Sequence, residues 1–159
     1  MLAILDEVMD PEVPVLSVRE LGIVRDVEIE SDGAITVVVT PTYSGCPAIQ
    51  AIEQDILSAL DLAGFPNARV RTSYAPAWTT DWISREARAK LKAYGIAPPP
   101  TARAESSGLV QLLRARPATQ CPYCDSYETE LRSEFGSTAC KAIWWCRGCC
   151  QPFEEFKAL

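Results

Sequence analysis

Four cysteines limit this chain's folding more than any other feature. "CPYC" at 121–124 and "CRGC" at 146–149 are two C-x2-C knuckles with 21 residues between them. Each knuckle turns two thiols toward one point, and two knuckles close a tetrahedron of sulfur around one ion. Residues 115–159 hold only 45 positions, too few for a secure core without a staple. Zinc binding can supply about 10–16 kcal/mol of apparent folding free energy, enough to hold so short a module together. The spacing therefore predicts a structural metal site at Cys121, Cys124, Cys146 and Cys149. Its closed four-thiolate character favours Zn2+ over iron or a cluster. Predicted strands around it are "GLVQLLR", "YETELRSEF", "AIWWC" and "PFEEFK".

Cys140 and Cys150 fall outside the knuckles. Each reads as a small buried or half-buried side chain, with a labile ligand or redox thiol as the sharper alternative for Cys140. Trp144 and Trp145 sit beside the second knuckle and should divide between core and cover. The chain has no histidine, so a Ser-His-Asp or Cys-His catalytic pair is excluded, as is a two-histidine facial triad. Any metal chemistry must run on thiolates and carboxylates.

Charge narrows the partners. Residues 1–100 carry 14 acids and 8 bases, a net of −6, while residues 101–159 carry 7 of each. No basic face follows from this, so nucleic acid is a poor partner and base stacking on the tryptophans is disfavoured. No apolar run approaches the ~20 residues of a membrane span. The first residues lack the pattern of a secretory signal, so a reducing cytosol is expected, where clustered cysteines mean metal or redox chemistry more often than disulfides.

The stretch "PPPTARAESSG" (98–108) reads as an extended connector. Composition thus predicts a domain over 1–97, a linker over 98–114 and a metal-stapled module over 115–159. In the first domain, "LAILDEVMD" reads as a short helix stopped before Pro11. Ile23, Val27 and Ile29 alternate, as do Ile35, Val37 and Val39, with Asp32-Gly33 as the hairpin turn between them. From Pro47 to Ala63 a helical stripe runs through Ile49, Ile52, Ile56, Leu60 and Ala63, ended by Gly64 and Pro66. "ARVRTSYAP" is a third strand, and a last helix from about Thr80 carries Ile83, Ala87, Leu91 and Tyr94. The predicted class is α+β: a small α/β sandwich (helix, hairpin, helix, strand, helix) followed by the β-rich module.

Cys46 is the one cysteine of the first domain. With Pro47 at the first helical position, Cys46 is expected at the N-cap, where free N–H groups and the helix dipole would lower its pKa. Ser44 and Gly45 allow a tight, exposed loop before it. The alternative is a small cap residue with no chemistry. Asp10 and Glu12 bracket Pro11; they read either as a helix stop with a rigid turn or as hard oxygen donors near Cys46. One thiol cannot hold a cluster stably, so iron or cluster binding there would be transient, shared with a partner or with a second copy in a homodimer.

The stretches "DPEVPVLSVRELGIV", "VTPTYSGCPA" and "WTTDWISREARAKLKAYGIAPP" resemble the domain shared by small iron–sulfur cluster assembly and carrier proteins. Adding "CPYC", "SEFGSTACKAIWWCRGC" and "PFEEFK" narrows the resemblance to the family of D subunits in the phenylacetyl-CoA epoxidase (ring 1,2-monooxygenase) system of bacterial phenylacetate degradation. By that resemblance, Cys46 matches the motif cysteine of the assembly domain, and Asp10, Pro11 and Glu12 its acidic-proline motif. The resemblance implies an accessory protein. Its partners would be a di-iron oxygenase and a reductase carrying flavin and a [2Fe–2S] cluster, one of which it helps to mature or supply with metal. A scaffold docking oxygenase to reductase through the ribbon is the alternative, and a thiol enzyme acting on the CoA thioester ranks last.

Overall fold

A computed structural model describes residues 1–31, 33–43, 45–100 and 118–157. Asp32 of the predicted turn, Ser44 of the predicted loop, the connector from 101 onward and the predicted strand "GLVQLLR" lie outside the described residues. The chain divides into two units, Met1–Lys90 and Leu91–Ala158, with the division inside a helix rather than at the proline-rich connector.

In the first unit, helix α1 (Leu2–Leu5) is one turn long and buries Leu5. It stops well before Pro11, because residues 9–17 close on themselves: Met9 bridges Ser17 and the Asp10 N–H donates to the Leu16 carbonyl (2.9 Å). Strands β1 (Val24–Ile29), β2 (Ile35–Val39) and β3 (Arg69–Thr72) form one sheet in that order, β1 antiparallel and β3 parallel to β2. The parallel pair is joined by helix α2 (Ile49–Leu62), making a βαβ unit.

All five residues of β2 are buried, not only Ile35, Val37 and Val39. A central strand covered on both faces loses its alternation. Ile29, on the predicted inner stripe, is 67% exposed at the far end of the edge strand β1, and β1 also carries a register shift between Val24 and Asp26. Helix α2 buries Ile52, Ile56 and Leu60, each contributing about 1.5–3 kcal/mol by leaving water. It ends in a paired reverse bond: the Phe65 N–H reaches the Leu60 carbonyl and the Gly64 N–H the Asp61 carbonyl (both 2.9 Å). Gly64 sits at φ +90°, where a side chain would be strained. Gly22, at φ +70°, marks the entry to β1; a Cβ there would lie 2.7 Å from the Trp82 Cβ. A 3-10 turn (Thr80–Trp82) precedes helix α3 (Arg85–Tyr94), on which Ala87 and Leu91 are buried while Tyr94 is 57% exposed.

The second unit is a four-stranded sheet in the order β4-β7-β6-β5. Strands β5 (Thr129–Ser133), β6 (Lys141–Cys146) and β7 (Gln151–Phe156) are antiparallel neighbours. Strand β4 (Ile96–Ala97) adds a parallel edge, Ile96 opposite Glu154 and Ala97 opposite Glu155. Its core joins Ala97, Ala142, Trp144 and Phe153 to the buried Cys121 and Cys146.

Candidate functional site

The two knuckles close as the spacing requires. Cys121 Sγ lies 3.7 Å from Cys149 Sγ, and Cys124 Sγ 3.5 Å from Cys146 Sγ. All four sulfurs fall within 4.8 Å of one another. A tetrahedral zinc with Zn–S bonds of about 2.3 Å needs sulfur–sulfur edges of about 3.8 Å, so the donor set fits that ion. Backbone bonds shape the first knuckle, the Asp125 N–H donating to the Cys121 carbonyl (3.0 Å) and the Cys121 N–H to the Ser126 carbonyl (2.9 Å).

Each knuckle ends in a left-handed residue, Asp125 at φ 61° and Cys150 at φ 56°. That shared backbone explains the cysteine doublet. Cys149 turns into the cluster, whereas Cys150 occupies the left-handed position and leaves its thiol exposed. The half-buried or buried placement expected for Cys150 is therefore wrong. Cys140 is buried, 3.0 Å from the Thr138 hydroxyl, and lies outside the sulfur cluster.

The thiols compete for protons. The Cys149 backbone N–H, followed by the neighbouring sulfurs, pulls Cys146 down to about 7 against the opposing effect of burial. Burial and then the other thiols push Cys149 up to about 12. A divalent cation resolves such a set by taking all four as thiolates, so metal uptake releases protons. Sequence reasoning missed what backs the site. Trp144 is 2% exposed and donates Nε1–H to Glu155 Oε2 (2.8 Å), and the Thr119 hydroxyl donates to Glu155 Oε1 (2.8 Å). Glu155 is itself buried. A signal was available: alternation along "PFEEFK" puts Glu155 on the same inner face as Phe153.

Cys46 differs from expectation in two respects. Helix α2 begins at Ile49 with Ala48 as its N-cap, so Pro47 lies outside the first helical position and Cys46 in the turn before it. The Cys46 N–H donates to the Tyr43 carbonyl (3.2 Å), and the Cys46 carbonyl accepts from the Ile49 N–H (3.4 Å). Its thiol is raised, not lowered. Burial is the largest cause and the Glu12 and Asp10 carboxylates push the same way, outweighing the Ala48 and Ile49 N–H groups that do reach the sulfur. The same fact places both carboxylates within electrostatic reach of the half-buried thiol. Among the described residues, the only three-ligand grouping close enough to hold an ion is the four-cysteine set.

A titration follows. The midpoint of Cys46 alkylation by iodoacetamide, followed by mass spectrometry against pH, is expected above the usual cysteine value. Glu12→Gln removes a charge that opposes the thiolate and should move that midpoint down. An unchanged or higher midpoint would contradict the electrostatic account.

Comparison with known proteins agrees with both halves. A family model described as iron-sulfur cluster assembly protein matches residues 1–71, and one described as the PaaD zinc beta ribbon domain matches residues 105–157. The chain is 43% identical over 157 residues to an Escherichia coli (strain K12) protein assigned as the D subunit of a 1,2-phenylacetyl-CoA epoxidase, covering 99% of this chain and 90% of that one. It is 34% identical over 85 residues to an Fe-S protein maturation auxiliary factor of Porphyromonas gingivalis, covering 53% of this chain and 80% of the other. The crystal structure of a DUF59 domain from Bacillus anthracis superposes with a TM-score of 0.52 at 28% identity, covering 56% of this chain and 85% of that chain. The four-cysteine module is thus a zinc ribbon, and the chain belongs to the family of phenylacetyl-CoA epoxidase D subunits, here an iron–sulfur assembly-type domain joined to a zinc β-ribbon.

Proposed function

We propose that this chain is a non-catalytic maturation protein that delivers iron or an iron–sulfur cluster to the oxygenase or reductase of a phenylacetyl-CoA epoxidase. The observation that carries the reading is a single half-buried thiol, Cys46, in the turn before α2 at the carboxyl end of the β2–β3 parallel pair, where the Glu12 and Asp10 charges act on it. Ligands of open α/β sheets bind at that end. Iron–sulfur clusters held in place take four protein ligands. One thiolate with two acids nearby suits brief capture of iron-containing cargo and its release to an acceptor that supplies the missing donors. A cation there would also relieve the opposition that the acids raise against ionisation of the thiol. The zinc ribbon is structural in this reading, and the absence of histidine leaves the site no conventional base for acyl transfer.

Anaerobic loading with ferrous iron and sulfide should give a visible chromophore in the wild type. Cys46→Ser should lower bound iron by on the order of 10–100-fold, the scale on which weakened metal sites lose affinity, while leaving the zinc in place. In cells the same variant should leave the epoxidase poorly matured. If Cys46→Ser supports full epoxidase activity, the delivery role is rejected and the ribbon-mediated scaffold takes its place; loss of co-purification on deleting residues 115–159 would then confirm the scaffold.

A further inference from the structure

Two contacts tie the last turn of α3 to the first zinc knuckle. Gly95 ends the helix at φ +92°, its N–H donating to the Lys92 carbonyl (3.1 Å). The Tyr123 ring, reaching out from between Cys121 and Cys124, lies on this glycine. A Cβ built on Gly95 would stand 2.7 Å from the Tyr123 hydroxyl oxygen and 3.0 Å from its Cε1. Glycine is thus required twice here, by the left-handed backbone and by the ring against it. Tyr123 stays 53% exposed, so the contact is one-sided, ring edge to helix end. Next to it, Lys92 forms an ion pair with Asp125, 33 positions further along the chain. Asp125 is the left-handed residue that closes the first knuckle. Its N–H is bound to the Cys121 carbonyl (3.0 Å), so its carboxylate moves with the metal ligands. Directly after Gly95, Ile96 and Ala97 pair with β7, and Ala97 joins the core that holds Cys121 and Cys146.

We infer that the C-terminal turn of α3 is part of the framework of the metal centre: Gly95 and Lys92 are positioning residues that hold the first knuckle, through Tyr123 and Asp125, at the spacing zinc requires. None of the four touches the ion. They act by linkage: a brace made in the zinc-loaded form and lost with the ion raises zinc affinity by the factor it contributes, and zinc in turn orders the helix end. Supports behind metal ligands carry factors of about 10–100-fold in affinity. The ring on Gly95 is the larger part. The Lys92–Asp125 pair is the smaller, because both side chains are exposed and such pairs contribute little.

The test uses the full chain with Zn2+ and Co2+ as probes. Competition against a chromophoric chelator reads zinc affinity, and the visible bands of the Co2+ form read the four-thiolate geometry. Gly95→Ala should lower zinc affinity by roughly tenfold and alter the Co2+ bands. Tyr123→Ala should weaken zinc as well, whereas Tyr123→Phe, which keeps the ring, should match the wild type. Combined, Gly95→Ala and Tyr123→Ala should cost less than the sum of the two, because the clash leaves with the ring. Lys92→Ala should lower affinity by less than about fivefold, and Lys92→Arg should restore it. Wild-type affinity and Co2+ bands in both Gly95→Ala and Tyr123→Ala overturn the inference. So does a Gly95→Ala cost that is the same with and without the Tyr123 ring, which would assign it to backbone strain at the helix end alone. If Gly95→Ala does not fold, Tyr123→Ala against Tyr123→Phe decides, and equal zinc affinities for those two overturn the brace.

Discussion

Stripping zinc from Cys121, Cys124, Cys146 and Cys149 is expected to unfold the second unit and to leave the first unit's transition in place. Two observations set the size of the effect. The sulfurs already stand at tetrahedral spacing, and two of them, Cys121 and Cys146, belong to the small apolar core with Trp144 and Phe153. Removing the ion therefore leaves crowded, proton-competing thiols, two of them inside the core. The metal contributes about 10–16 kcal/mol in comparable modules, more than so few residues can replace. Circular dichroism with a strong chelator reads the loss, and a pH-stat reads the protons taken up as zinc leaves. The doublet supplies a control. Cys149→Ser should lose the ion. Cys150→Gly should keep it and be neutral or more stable, because glycine accepts φ 56° without strain. A chain that stays folded after the zinc is gone, or that loses zinc through Cys150→Gly, would contradict the assignment.

Trp144→Ala is the second large effect. The side chain is 2% exposed and spans the ribbon core, and large-to-small changes at such sites cost about 3–5 kcal/mol. It also takes a donor from the buried Glu155 carboxylate, a loss of about 1–3 kcal/mol by itself. Trp144→Phe isolates the second contribution, because it keeps most of the apolar volume and deletes the N–H. The expected order of denaturant midpoints is wild type, then phenylalanine, then alanine, measured with zinc saturated in every case. Equal midpoints for wild type and phenylalanine would mean that the Trp144–Glu155 bond stabilises nothing.

The metal centre was legible because its chemistry is written in spacing: C-x2-C knuckles need no tertiary information to be read. Helix α2 was equally open, with Ile52, Ile56 and Leu60 on one stripe and Gly64 at its end. The failures have physical causes. Alternation overstated the burial of Ile29, because an edge strand outruns what covers it. It understated β2, where Thr36 and Val38 are buried along with the odd-numbered residues. Proline's preference for the first helical position placed Cys46 at the N-cap, yet the helix starts two residues later, after a turn. With burial and two acids added, the sign of the thiol's shift reversed. Asp10 and Glu12 are distant from Cys46 along the chain, so pattern alone left a rigid turn and oxygen donors near the thiol as open alternatives. Two-residue strands such as β4 carry no periodicity at all, so their pairing cannot be read from pattern.

That short strand limits how the protein can be taken apart. Ile96 and Ala97 precede the proline-rich stretch, yet they pair with β7 of the ribbon. A fragment cut at residue 100 would leave the outward-facing backbone groups of this edge of β7 open to other chains. Anyone transplanting the zinc module onto another carrier would need to begin upstream of Ile96, or expect a product that sticks to itself.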